Sequence, residues 1–90
     1  MSTTYSAVYY DAAGRTYGAT IFLSAATITI RYLDENRQEK VVYWLTKDTR
    51  FWQQTIQSEL QYKNNKGQTE RLCFQDVAFI QAIKKIPIAI

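Results

Sequence analysis

TITIRYL, residues 27–33, carries the clearest strand pattern of this chain. Its apolar side chains at Ile28, Ile30 and Tyr32 alternate with polar ones, and its β-branched residues suit a pleated backbone. Successive side chains of a strand point to opposite faces of a sheet. The pattern therefore predicts an antiparallel strand with one face against a core and the other in water.

Similar segments lie on both sides of this strand. Further strands are predicted at residues 5–11, 15–24, 40–46, 48–57, 58–63 and 69–75. The segment 48–57 also fits a helix, because Trp52, Ile56 and Leu60 recur at helical spacing. It runs directly into a hairpin closed by residues 64–67, NNKG, and we interpret it as a strand.

The last hairpin has a predicted inner and outer face. Leu60 and Tyr62 are expected to face the core from its first strand. Leu72 and Phe74 face them from the second strand, so that Cys73 falls on the opposite side.

One helix, predicted over residues 76–85, follows all of the strands. Asp76 can cap its first turn, because a carboxylate there accepts amide hydrogens that the helix leaves free. The apolar stripe of this helix is Val77, Phe79, Ile80, Ile83 and Ile86. The order of elements predicts a mainly β fold with one C-terminal α-helix. We expect a small antiparallel β-barrel or a two-sheet sandwich of six to seven strands, closed by the helix.

Length and composition indicate one domain. The chain has 90 residues, of which 47% are apolar, and no linker divides residues 1–86 from one another. Residues 87–90 form an apolar tail. The single cysteine, Cys73, favours a reducing compartment and hence a cytoplasmic location.

The basic charge is spread along the chain. Residues 1–45 carry four basic and four acidic side chains, whereas residues 46–90 carry seven and four, which gives the net charge of +3. The basic residues of the second half lie on several elements and form no run. A dedicated groove for a polyanion is therefore not indicated.

The residue types argue against catalysis. Histidine is absent, which removes the commonest general base and metal ligand. Cys73 has no base beside it in the sequence, and neither a metal site nor a cofactor motif is present. Carboxylate pairs remain conceivable, either Asp11 with Asp34 or Glu59 with Glu70.

For the last pair, the sequence favours a solvent-exposed face. On that face, we expect Glu59 and Glu70 to form ion pairs with Lys63 or Arg71 rather than to serve as a catalytic pair. We predict no catalytic, cofactor-binding or metal-binding residues, and no enzyme activity.

Aromatic residues carry the alternative function. A stacking platform for single-stranded nucleic acid could use the following side chains: Tyr9, Tyr10, Tyr17, Tyr32, Tyr43, Trp44 and Trp52. The sequence favours placing them in the core and rim of a small sheet, because a thin core depends on large aromatic side chains. A nucleic-acid-binding barrel is therefore the second hypothesis.

Three segments carry a family resemblance. VYYD at residues 8–11 with the glycine turn after it, ATIFL at 19–23 and WL at 44–45 resemble a small β-rich domain. That domain precedes the membrane-embedded zinc metallopeptidase domain in some bacterial proteins. The resemblance implies a barrel like that of pleckstrin-homology domains, with seven strands in two sheets and one C-terminal helix. It transfers no catalytic residue.

The resemblance also implies a place for the C-terminus. Lys84 and Lys85 resemble the basic flank of a membrane segment of which residues 86–90 are the start. A specific phosphoinositide site is not expected, because the first hairpin turn offers Arg15 alone.

The resulting hypothesis is a non-catalytic accessory or interaction module. It would be the N-terminal cytosolic part of a longer membrane-anchored protein and contact a partner protein or the rest of its own chain. The candidate contact residues are Lys84, Lys85, Ile86, Ile88 and Ile90.

Overall fold

A computed structural model describes residues 3–53, 57–86 and 88 of the chain. Its elements are β1 Thr4–Tyr10, β2 Thr16–Leu23, β3 Thr27–Leu33, β4 Glu39–Leu45, β5 Thr49–Trp52, β6 Ser58–Lys63, β7 Thr69–Phe74 and the helix α1 Val77–Ile83. A single 3-10 turn, Thr46–Asp48, joins β4 to β5. The predicted mainly β fold with one C-terminal helix is confirmed.

All seven strands belong to one antiparallel sheet in the order β4-β3-β2-β1-β7-β6-β5. A meander of β1 to β4 and a meander of β5 to β7 meet where β1 pairs β7 over three residues, Val8–Tyr10. The two-sheet arrangement is therefore not what forms, because this short ladder joins both meanders into one hydrogen-bonded sheet. The sheet curls into a half-barrel, and Trp44 of β4 stacks on Tyr62 of β6 with ring centroids 5.3 Å apart.

The predicted faces of the strands are confirmed. Ile28 and Ile30 are fully buried, and Tyr32 is partly buried against the same core. Leu60, Leu72 and Phe74 are buried as expected, and Tyr62 packs on them. Alternation works here because a sheet with only one covered face buries every second side chain.

Three of the hairpin turns share one geometry and lie at the same end of the half-barrel. Asp11, Asp34 and Asn64 each begin a turn, and the Oδ1 atom of each accepts two backbone amides two and four residues later. The fourth position of each turn has a positive φ: 86° at Gly14, 61° at Arg37 and 76° at Gly67. The Asp34 carboxylate is thus occupied in its own turn.

The helix lies at the opposite end. Asp76 is its N-cap and accepts the Ala78 amide at 2.9 Å, as predicted. Phe79 is fully buried and stacks on Tyr5 at 4.9 Å, near the start of β1. Val77, which the sequence places on the apolar stripe, is instead 67% exposed, because the sheet covers only the side of the helix that carries Phe79.

Two elements differ from their predicted bounds by more than one residue at an end. The helix ends at Ile83 rather than at Lys85, and the amides of Lys85 and Ile86 then bond to carbonyls three residues earlier. Residues 49–52 of the ambiguous segment 48–57 form β5, so the strand interpretation is confirmed there. Residues 48, 53 and 57 of that segment are not part of β5, and residues 54–56 lie outside the described residues. Over the described part of the chain, no helix is long and apolar enough to cross a membrane.

Candidate interaction site at the β4 edge

An exposed apolar strip runs along β4, at one edge of the sheet. It consists of Val41, Tyr43 and Leu45 of β4, which are 42%, 65% and 41% exposed, together with Leu33 at the end of β3, which is 57% exposed, and we call it the β4 strip. Apolar side chains scattered singly on a surface are ordinary, but contiguous ones mark contact sites. The strip is therefore the first candidate for a functional surface.

The pairing of β3 with β4 places these side chains. The unbroken register sets Val42 opposite Ile30 and Trp44 opposite Ile28, so that Val42 and Trp44 face the core. Their neighbours Val41 and Tyr43 must then point outward. The sequence VVYWL at residues 41–45 is apolar on both faces, whereas the sheet covers only one of them.

The two edges of the sheet differ in how well they are protected from pairing with another chain. Natural edge strands are commonly short, charged, bulged or interrupted by proline, which prevents pairing with other chains. β5 follows this rule, because it has four residues and exposes Arg50. β4 has seven residues, and its ladder to β3 shows no bulge. Of the two edges, β4 is the one open to a further strand.

A polar border lies beside the β4 strip on the same outer face. Arg31 forms an ion pair with Glu39, its Nε donating to the carboxylate at 2.7 Å. The guanidinium also lies 5.8 Å from the ring centre of Phe22. Thr20, Arg31, Leu33 and Glu39 line a depression of about 400 Å³, so that the ion pair and Leu33 of the strip share its wall. The site thus combines an apolar centre with a polar rim, as protein interfaces do.

A second candidate is the buried carboxylate of Glu70, under the three turns. Glu70 is 8% exposed, and it accepts hydrogen bonds from the Tyr9 hydroxyl at 2.5 Å and from Trp44 Nε1 at 3.3 Å. Asn64 Nδ2 donates a third bond at 3.1 Å. Burial and the adjacent carboxylate raise the pKa of Tyr9, so its hydroxyl stays a donor. With these donors in place, Glu70 is a structural acceptor.

This arrangement corrects the predicted carboxylate pair. Glu59 does lie on the outer face, where Arg71 Nη1 donates to it at 3.1 Å, as expected. Glu70 does not, because it shares the inner face with Leu72, two residues along β7. The two carboxylates are thus on opposite faces of the sheet and cannot act together. Asp11 and Asp34 are occupied with their own turns.

Cys73 lies on the outer face, as predicted, but it is more buried than expected. It is 6% exposed, and its Sγ is 3.6 Å from Glu59 Oε1. Burial, and then the charge of Glu59, raises the pKa of the Cys73 thiol. A thiol held in its protonated form is a poor nucleophile.

The aromatic residues do not share one surface. Tyr9 and Trp44 are buried, and Tyr17 and Tyr32 pack against Tyr9 with ring centroids 6.3 and 5.0 Å away. The exposed Tyr43 and Trp52 lie on β4 and β5, at opposite edges of the sheet. Because the rings are divided between core and separate edges, they form no continuous stacking platform.

The sequence-predicted contact residues that the structure describes lie at the helix end of the half-barrel. Lys84 and Lys85 are exposed, and Ile86 is partly buried. Lys85 and Ile86 line a groove of about 570 Å³ between α1 and the start of β1. Ile88 packs against the domain's own core, and Ile90 lies outside the described residues.

The β4 strip was not predicted from the sequence. The run VVYWL was visible, but its exposure depends on β4 being an edge, which the strand order decides. A five-residue apolar run is a sign of such a strip, because a small sheet covers only one face of each strand. Within the described residues, no three Cys, Asp or Glu side chains gather as a metal site requires. Comparison with protein-family models, curated proteins and solved structures finds no match.

Proposed function

We propose that this domain is a non-catalytic interaction module that binds another protein chain by adding a strand at β4. The observation that carries the proposal is the free β4 edge: a regular seven-residue strand whose outer side chains at Val41, Tyr43 and Leu45 are apolar and exposed. In strand addition, backbone hydrogen bonds provide affinity, and pockets for alternate side chains provide specificity. The free edge of β4 offers the backbone groups, and the β4 strip with the depression beside it offers the side-chain contacts.

The surroundings of Glu70 and Cys73 support a binding role rather than a catalytic one. Glu70 has three donors, and the pKa of the Cys73 thiol is raised. The divided aromatic rings give the nucleic-acid alternative no observation in its favour. The proposed function is therefore protein binding alone.

The link to a larger membrane-bound protein is a separate part of the proposal. It rests on the resemblance of the sequence and on the exposed Lys84 and Lys85. Reading the gene beyond the codon for Ile90 tests it. An apolar stretch of about 20 residues there supports a membrane anchor, and a polar continuation or a stop codon rejects it.

The binding proposal is tested with peptides tiled from the proteome of the source organism and displayed against the purified domain. We expect bound peptides to alternate apolar and polar residues and to protect the amides of residues 39–45 from hydrogen exchange. Tyr43→Lys should weaken their binding at least tenfold, because it places a charge in the centre of the strip.

The matched control is Trp52→Lys, which introduces the same charge at the 49%-exposed position of the other edge. Binding should survive this change. Peptides whose protection maps away from β4, or whose binding both variants reduce equally, contradict strand addition at this edge.

A further inference from the structure

We infer that the chain added at β4 is a second copy of this protein. Two copies pair their β4 strands antiparallel about a two-fold axis at Tyr43, which extends the seven-stranded sheet of each into one continuous sheet. The inference rests on the proposed function and names the partner of the same edge.

The backbone alternation of β4 limits how a partner strand can pair. The Asp34 amide donates to the Gln38 carbonyl and the Thr46 amide to the Ala26 carbonyl, each at 3.0 Å. Even-numbered residues of β4 therefore bond to β3, because hydrogen-bonded pairs alternate in an antiparallel ladder. The amide and carbonyl groups of Val41, Tyr43 and Leu45 point away from β3, toward a partner.

Side-chain matching then chooses among the symmetric registers. An axis at Tyr43 sets Tyr43 against its own copy and Val41 against Leu45, so that apolar residues meet on the outer face. An axis at Val41 would instead set Tyr43 against the charged Glu39. The Leu45 carbonyl already accepts the Thr49 hydroxyl at 2.9 Å, but a carbonyl oxygen has a second lone pair for the new ladder.

Charge complementarity supports the register at Tyr43. It brings Glu39 of one copy to the end of the ladder where Lys47 of the other copy lies, in the 3-10 turn two residues beyond Leu45, and the two-fold axis repeats this proximity at the far end. Lys47 is exposed and forms no ion pair with any described residue. Among the described residues, Glu39 forms an ion pair with Arg31 alone, which leaves its carboxylate able to accept a second cation.

Symmetry also favours a second copy paired through β4. Pairing β4 with β4 uses the same surface twice and closes after two chains, whereas pairing β4 with β5 would continue into open filaments. The four-residue β5 with its exposed Arg50 is a poor partner for such growth. The closed dimer thus covers the β4 edge and leaves only the β5 edge exposed.

Sedimentation velocity and light scattering over about 5 to 500 µM protein test the inference. We expect the mass to approach twice the 10.5 kDa of one chain as concentration rises. Tyr43→Lys should raise the dissociation constant at least tenfold, because it places like charges opposite each other on the axis. Trp52→Lys, on the other edge, should leave dimerisation unchanged.

A charge exchange tests the register itself. Chains with Glu39→Lys and chains with Lys47→Glu each meet like charges at both ends of their own dimer. We expect both to dimerise more weakly than the unaltered chain, and an equal mixture to recover dimers that contain one chain of each kind. Circular dichroism of every variant checks that the monomers remain folded.

The outcomes separate this inference from the proposed function. A chain that stays monomeric at about 500 µM, yet binds displayed peptides at β4, overturns the second-copy inference alone. Dimers that Tyr43→Lys leaves intact, or a charge exchange without recovery, also overturn it. A chain that neither dimerises nor binds peptides at β4 overturns both.

Discussion

Glu70 is the residue whose surroundings differ most from what its chemistry suggests. A buried carboxylate is costly unless it is hydrogen-bonded. Here Tyr9 donates from β1, Trp44 from β4 and Asn64 from the last turn. One acceptor thus holds three separate parts of the half-barrel together at the end that the helix does not cover.

Replacing Glu70 with leucine should lower the free energy of unfolding by about 2 to 4 kcal/mol, because Tyr9 and Trp44 lose their buried acceptor. Urea unfolding followed by tryptophan fluorescence measures this loss. Glu35→Leu is the control, since Glu35 takes part in an exposed ion pair with Arg15 and should cost about 1 kcal/mol or less. Equal losses in the two variants would show that Glu70 is not a stabilising acceptor.

At the scale of elements, the three equivalent turns show how a local pattern recurs along the chain. Each begins with an aspartate or asparagine whose side chain accepts two amides, and each needs a left-handed residue at its fourth position. Glycine fills that position in two turns, but Arg37 fills it between β3 and β4. A residue with a Cβ atom in this conformation costs about 1 to 2 kcal/mol.

Arg37→Gly should therefore raise the free energy of unfolding by about 0.5 to 1 kcal/mol, the lost strain outweighing the entropy of glycine. Gly14→Ala should lower it by about 1 kcal/mol through backbone strain alone, since a Cβ there meets nothing within 4 Å. Thermal and urea unfolding measure both.

Gly18→Ala is the control for these turn variants. A Cβ at Gly18 also meets nothing within 4 Å, but its φ is not positive. This variant should be neutral or slightly more stable. If Gly14→Ala behaves like Gly18→Ala, the positive φ at the turn is not a source of strain.

On the scale of the whole molecule, a curled sheet must cover both ends of its core. At one end, Phe79 of the helix packs against Phe74 with ring centroids 4.3 Å apart and against Tyr5. At the other end, Glu70 and the aromatic rings around it take this role. Because the two ends are closed by different means, they should respond differently to substitution.

Phe79→Ala should cost about 3 to 5 kcal/mol, because a fully buried ring is removed and the sheet cannot collapse into its place. That is a large share of the stability of a small domain. Val77→Ala in the same helix should change stability by about 0.5 kcal/mol or less, since Val77 is 67% exposed. Urea unfolding compares them, and similar losses would mean that the helix does not close the core through Phe79.

Much of the fold was predictable from residues close in sequence. The strands at 27–33 and 58–63 have the predicted boundaries, and Asp76 caps the helix as expected. These features depend on alternation, turn residues and capping, which act over a few positions. The candidate site was not predictable in this way, because an edge is a property of the assembled sheet.

The strands, the turns and the C-terminal helix follow from local sequence patterns, and the lack of histidine follows from composition alone. That β4 is an edge with an exposed apolar strip, and that Glu70 is buried, follows from the assembled sheet. The physical reason is the separation of the interacting groups: Glu70 bonds to side chains 26 and 61 residues away, at Trp44 and Tyr9. Contacts of that kind follow from strand order, which no local pattern specifies.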